Sequence, residues 1–345
     1  VPNSMGLPDG KHVRLFDAYI EAREQLESGV LDAEEAMSTS DFATYLSKFI
    51  RHTFLSRFAE VQGVWSSYTR QMDLEDFDEY TSSRFGRFVD IAEKAHNAEY
   101  DELAIREFDA EKVKLKTWGN AFSVTRQLII SDRLNKIAEL PNLLAEALAR
   151  TMSKKAAIDA LQSNPTMYDG NALISAGHGN IVTTALAATI TGMQNLQTLD
   201  LKFDDMIDDE GYSIVIPGGR TLIIPTELRY VAQALNTNEL VGNGTVVDTN
   251  LTRGLFSSII IEPFLTDANN YYVLADPTGQ LSPIAFITLN GQTTPFVGLR
   301  DPGVRAVLGG NDPYSFDFDE IKYKIRHDFS FKPVEWRGIV GAIVP

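Results

Sequence analysis

Residues able to do chemistry are sparse in this chain and stand far apart. Its five histidines are His12, His52, His96, His178 and His327, and none is spaced to give a helix two imidazoles for one metal. There is no cysteine, which removes disulfides, thiolate nucleophiles and cysteine-held metals together. His178, in the glycine-flanked run Ser175-Ala176-Gly177-His178-Gly179-Asn180, is the best acid–base candidate. A hydrolase built on it needs an acidic partner and an activated nucleophile, and no GxSxG elbow is present. Asp204, Asp205, Asp208, Asp209 and Glu210 have the charge of a calcium loop without its alternating ligands or its closing glutamate, so they read as a solvated loop. Gly218-Gly219 belongs to no phosphate-binding pattern. Asp328 and Glu335 could be drawn as an acid–base pair, but nothing in the spacing brings them together. Neither a catalytic centre, a cofactor site nor a metal site is expected.

The elements that would hold such residues are ordinary. With 44% hydrophobic and 23% charged residues, 345 residues can bury a substantial core. A net charge of -16 disfavours sequence-independent DNA binding and anionic membranes. No run of about 18 apolar residues could span a bilayer. Val1–Gly10 lacks the character of a signal peptide, so a cytosolic origin is expected, with Val1 arising by methionine removal or by cleavage of a precursor.

One amphipathic helix is expected at Val13–Ser28. Another follows Ser40-Asp41 as N-cap, with Phe42, Tyr45, Leu46, Phe49, Ile50 and Phe54 at helical spacing. The clearest helix runs from Pro141 to Ser163, with Leu144, Leu148, Met152, Ala156 and Leu161 on one stripe. A mixed α/β region follows, with a helix at Thr184–Gln197 and strands at Tyr212–Ile216 and Thr221–Ile224. Thr226 is expected to cap a further helix, and Asn236–Gly254 reads as a loop. Further strands are expected at Ser258–Ile261, Tyr271–Leu274 and Ile284–Leu289. In the tail Ile321, Tyr323 and Ile325 alternate with Lys322, Lys324 and Arg326, the period of a strand with one wet face.

Ser66–Trp118 is different. It holds 13 acidic and 8 basic residues, so 21 of its 53 positions are charged. Lys112, Lys114 and Lys116 alternate with Val113 and Leu115, and Ala121–Ile130 is a second strand-like run. A charged two-stranded excursion buries little against its own fold and is only marginally stable alone, so it calls for a neighbouring molecule.

Several ordered motifs resemble the major capsid proteins of tailed bacteriophages, in particular the Mu-like major head subunit group. They are Asn164-Pro165-Thr166-Met167-Tyr168-Asp169-Gly170 with Leu173 to Asn180; Thr221-Leu222-Ile223-Ile224-Pro225 with Leu228 and Ala232; Tyr272 to Pro277; and Tyr323 to Phe329 with Trp336-Arg337-Gly338. Upstream, Ala36 to Phe42 and Ile129 to Leu134 add to the resemblance, which covers Ala36 to Gly338. It implies an α+β chain with the Hong Kong 97 capsid fold. The parts would be an N-terminal arm (1–40), a helix of the peripheral (P) domain (41–65) and an extended E-loop (66–120). The P domain would continue over 121–182 with its spine helix at 141–163. An axial (A) domain (183–295) and the C-terminal P-domain strands (296–345) would complete the chain.

It also implies a subunit that assembles with copies of itself into hexamers and pentamers of a shell around double-stranded DNA. Portal, scaffold or protease and decoration proteins would be further partners. The nearest alternative within the same fold is an encapsulin-like nanocompartment shell. Candidate inter-subunit contacts are Arg70, Arg84, Arg87, Lys112, Lys114, Lys116 and Arg326, with Trp65, Trp118 and Trp336 as apolar anchors. Deleting Met72–Lys114 is expected to leave a folded subunit that does not assemble.

Overall fold

The computed structural model describes residues 39–85, 94, 107–125, 127, 139–208, 211–216, 219–243, 246–279, 281–299, 306–307, 310–311 and 320–344. The helix expected at Val13–Ser28 lies outside them, as does Arg87. The chain divides into two compact units. One comprises Val1–Arg57, Gly119–Ala145 and Phe296–Arg326, the other Phe58–Trp118, Glu146–Pro295 and His327–Pro345.

Helix α1, Thr39–Glu60, begins one residue ahead of the expected cap, so Ser40 and Asp41 lie in its first turn. Helix α2, Leu140–Lys154, has Pro141 in its first turn and passes directly into a π-helical stretch, Lys155–Gln162. Together they match the expected long helix, with Met152, Ala156 and Leu161 buried.

In the larger unit, a mixed sheet has the order β5 (Ile181–Val182), β16 (Ile339–Ala342), β10 (Tyr271–Leu274), β6 (Thr221–Ile224), β9 (Ser258–Ile261). Strands β6, β10 and β16 are buried at every position, as expected for continuous apolar runs covered on both faces. Helices α3 (Ile190–Asp204) and α4 (Arg229–Thr237) contribute Met193, Leu196, Leu199, Phe203, Ala232 and Leu235 to its core.

Four expectations in this region are corrected. Helix α3 starts six residues later than Thr184, because Thr189 caps it by accepting a hydrogen bond from the Gly192 amide. Gly192 must be glycine there, since a Cβ would fall 1.8 Å from the Ala187 carbonyl oxygen. Tyr212–Ile216 forms no strand, only an isolated bridge between Ser213 and Ile207. Thr226 opens a 3-10 turn, Thr226–Leu228, ahead of α4 rather than capping it. The expected loop Asn236–Gly254 contains a hairpin of β7 (Leu240–Asn243) and β8 (Val246–Thr249).

Also in the larger unit, β1 (Arg70–Leu74) pairs with β11 (Ile284–Leu289), and β11 pairs with the Phe329–Pro333 end of β15 (Glu320–Pro333). In the smaller unit, β12 (Phe296–Leu299) pairs with the Tyr323–Arg326 part of β15, and β13 (Ala306–Val307) pairs with β14 (Gly310–Asn311). Strand β4 (Thr117–Thr125) also pairs with β15. Strand β15 alternates buried and wetter positions throughout, as its sequence period requires. Within the charged excursion, β2 (Tyr80–Phe85) and β3 (Glu107–Val113) form an antiparallel hairpin.

The roots of this excursion are corrected too. Leu74, Val113 and Leu115 are buried with Ala285 and Ile287, and β1 runs parallel to β11. A deletion of Met72–Lys114 would therefore remove core as well as the excursion.

Candidate functional site

The alternation at 112–116 determines how this segment presents its charges. Val113 and Leu115 are buried, which leaves the lysines at 112, 114 and 116 on the solvent side. They face a cleft of about 1020 Å³ in the larger unit. Half-buried Trp118 gives it an aromatic side; the ring stacks on fully buried Phe329, with centroids 5.7 Å apart at 28°, and Trp118 Nε1 donates to the Phe329 carbonyl at 3.0 Å. Lys155, from the π-helical stretch, places Nζ 4.9 Å from the Trp118 ring centroid and 2.7 Å from Asp159. Lys332, from β15, reaches Glu111 at 2.5 Å and donates to the Lys112 carbonyl. Lys112 pairs with Glu79 at 3.1 Å. Lys155 and Lys332 also line the cleft.

Three carboxylates thus offset three of the five lysines. Among the described residues, no ion pair engages Lys114 or Lys116. The lysines without an ion pair and the adjacent Trp118 ring have the chemistry to meet a carboxylate-bearing segment.

Four of the sequence candidates, Lys112, Lys114, Lys116 and Trp118, are brought together here. The others lie elsewhere. Trp65 is a core residue, 6% exposed and packed on Phe286 and Phe331 at 4.6 and 5.2 Å, so it is not available as a surface anchor in this subunit. Arg70 is exposed on β1 opposite Ala285. Arg326 lies over the Phe296 ring at 5.6 Å in the smaller unit. Arg84 sits on β2 opposite Phe108. Trp336 is half-buried, with its ring 4.2 Å from that of His178 and only 5° from parallel.

Reading the sequence missed Lys155, Lys332 and Glu111. Lys332 was within reach, because the period that sets Lys322, Lys324 and Arg326 on one face of β15 continues to it. Lys155 has no such signal, since its place depends on how the long helix packs.

The acid–base candidates each make hydrogen bonds or ion pairs within the larger unit. His178 is buried, with Nε2 2.7 Å from Asp169 Oδ2 and Nδ1 3.2 Å from the Leu173 carbonyl, so both ring nitrogens are engaged. Burial pushes the Asp169 carboxyl up, but hydrogen bonds from Asn171 and His178 outweigh it and hold the group below its usual value. Asn180, fully buried, accepts from the Ser175 amide and donates to the carbonyls of Leu173 and Ile339, pinning the loop to β16. Asp328 accepts from the Thr117 hydroxyl, while Glu335 holds Arg337 at 2.9 Å. In the acidic run, Asp204 binds Arg220 at 2.7 Å and Asp208 accepts from the Tyr212 amide; Asp209 and Glu210 lie outside the described residues. Among the described residues no group of three or more carboxylate and imidazole side chains is placed to hold a metal, and no helix is long and apolar enough to cross a membrane.

The model of the phage capsid protein family matches residues 109–342. Among solved structures, the capsid of the cyanophage P-SCSP1u resembles this chain with a TM-score of 0.55 at 10% identity, over 82% of this chain and 88% of that one. A chain from Mycobacterium phage Adephagia gives 0.50 at 9% identity, over 82% and 90%. The holo-SrpI encapsulin complex of Synechococcus elongatus PCC 7942 gives 0.47 at 9% identity, over 79% and 84%. No curated protein sequence matches. The family match, which covers most of the chain, and the likeness to the two phage structures establish a mixed helix-and-sheet fold of the Hong Kong 97 type. The chain belongs to the phage capsid protein family and is a structural shell protein of the virion.

Proposed function

We propose that this subunit is the major head protein of a tailed phage, of the Mu-like group, and that its activity is assembly rather than catalysis. Copies would associate into hexamers and pentamers that close an icosahedral shell around double-stranded DNA. Assembly would take place in the bacterial cytoplasm, with a portal, a scaffold or protease and decoration proteins as further partners. The observation that carries the reading is the family match over residues 109–342. The motif order noted in the sequence supports the Mu-like assignment.

In this reading 1–40 is the N-terminal arm, 66–120 the E-loop, 121–182 and 296–345 the P domain with its spine helix, and 183–295 the A domain. The basic side chains at 70, 112, 114, 116 and 326, with Trp118 and Trp336, would be the surface offered to neighbours. Obligate interfaces of this kind bury roughly 2,000–5,000 Å². A net charge of -16 keeps the subunits dispersed and the inner wall from gripping the genome.

The encapsulin-like alternative has behind it a likeness too loose to argue from. For the hydrolase reading, both nitrogens of His178 are already committed. Purified particles opened and probed for nucleic acid test the proposal. Packaged double-stranded DNA, in particles made during infection, is expected; shells filled instead with an enzyme cargo would overturn it.

A further inference from the structure

The larger unit carries both halves of a charged contact. One half is the cleft, where Lys114 and Lys116 stand exposed beside half-buried Trp118, itself stacked on fully buried Phe329, without an ion pair among the described residues. The other half is the turn between β1 and β2, Glu75-Asp76-Phe77-Asp78, in which all four side chains are exposed and Phe77 is 43% exposed. The turn is held in shape by the Asp78 amide donating to Asp76 Oδ1 at 3.0 Å. Its base is fixed by buried Leu74 and by the Thr288 hydroxyl donating to Asp73 at 2.6 Å. A rigid base keeps the entropy lost on docking small.

We propose that the lysine cleft of one subunit receives the acidic turn Glu75–Asp78 of a second copy. This rests on the shell reading and names one of its contacts. The chemistry is complementary on both counts: carboxylates meet the two ammonium groups that have no ion pair among the described residues, and Phe77 meets the exposed part of the Trp118 ring. Among the described residues, the subunit's own turn leaves Phe77 exposed and outside the cleft lining. Charge also selects this place. Between subunits of net charge -16, approach is opposed over most of the surface, and a local excess of lysine is where an acidic segment of a sibling is attracted. Such a contact sets register and is weakened by salt.

The test is a charge swap read by particle yield in velocity sedimentation. Lys114→Glu with Lys116→Glu should cut the assembled fraction about ten-fold, as should Glu75→Lys with Asp78→Lys. All four together should restore assembly. All four residues are exposed, so thermal unfolding of the subunit should stay at the wild-type temperature. Lys114→Gln with Lys116→Gln serves as a second, milder variant, expected to give an intermediate yield. Carbodiimide treatment of particles made from mixed light and heavy-nitrogen subunits should join Lys114 or Lys116 to Glu75, Asp76 or Asp78 in peptides carrying one light and one heavy partner. Normal yields from both lysine variants, absence of rescue by the swap, or cross-links confined to single chains would overturn the proposal and leave the shell reading intact. Wild-type protein that makes no particles would overturn the shell reading, and this contact with it.

Discussion

Replacing His327 with Phe should make the subunit more resistant to mild acid. His327 is 2% exposed, its ring lies 6.3 Å from Phe58 and 5.1 Å from Phe329, and its Nε2 has no hydrogen-bond partner among the described residues. Burial pulls its pKa from 6.5 down to about 4, partly opposed by the charge of Asp328. The folded state therefore keeps the ring neutral where the unfolded chain already binds a proton. Between pH 6.5 and 4 the unfolded state holds more protons, so stability falls as pH falls through that window; below it His327 costs nothing further. A gap of some 2.5 units at about 1.36 kcal/mol each amounts to roughly 3 kcal/mol in full, of which about 2 kcal/mol appears between pH 7 and pH 5.

The phenylalanine variant keeps the aromatic contacts and cannot take the proton. Urea unfolding of dispersed wild-type and variant subunits at pH 7, 6 and 5 checks this, because carboxylates titrating in both proteins cancel in the difference. The stability difference should shift in favour of the variant by about 2 kcal/mol as pH drops from 7 to 5. A difference that is flat with pH would refute the reasoning.

Other outcomes follow from packing. Gly119→Ala should destabilise by about 1–3 kcal/mol in denaturant, because its Cβ would lie 2.4 Å from the Ile325 carbonyl oxygen; an unchanged midpoint would show that the strand gives way freely. Tyr68→Phe removes the donor at 3.2 Å from Glu262 Oε2, on a buried carboxyl whose pKa burial already raises, and should cost about 1–3 kcal/mol in the same assay. Replacing residues 83–109 with an Asn-Gly turn spares Leu74 and Val113 and should leave the subunit's unfolding cooperative while sedimentation finds no shells. Normal shells would contradict the E-loop assignment.

What could be read from the sequence was set by how local the cause of each element is. Strands at Thr221–Ile224, Ser258–Ile261, Tyr271–Leu274 and Ile284–Leu289 fall where expected, because unbroken apolar, β-branched runs leave no other way to bury them. The start of α3 was misread because Thr184-Ala185-Leu186-Ala187-Ala188 has good helix formers, whereas the Thr189 cap and the close approach at Gly192 set the boundary. The hairpin of β7 and β8 was missed although Asn243-Gly244 between Val241 and Val246 is a hairpin signal. At the candidate site, the lysines of 112–116 were legible from their alternation. Their partners Lys155 and Lys332 arrive from elements dozens of residues away, and Trp65 could not be told from Trp118 until packing placed one in the core and the other on the cleft.

Copies of this chain close into shells. Negative-stain electron microscopy of the expressed chain tests this most directly. Closed particles of uniform diameter, built of hexamers and pentamers, are the predicted result. Dispersed monomers or small soluble oligomers that stay folded and never close would contradict it.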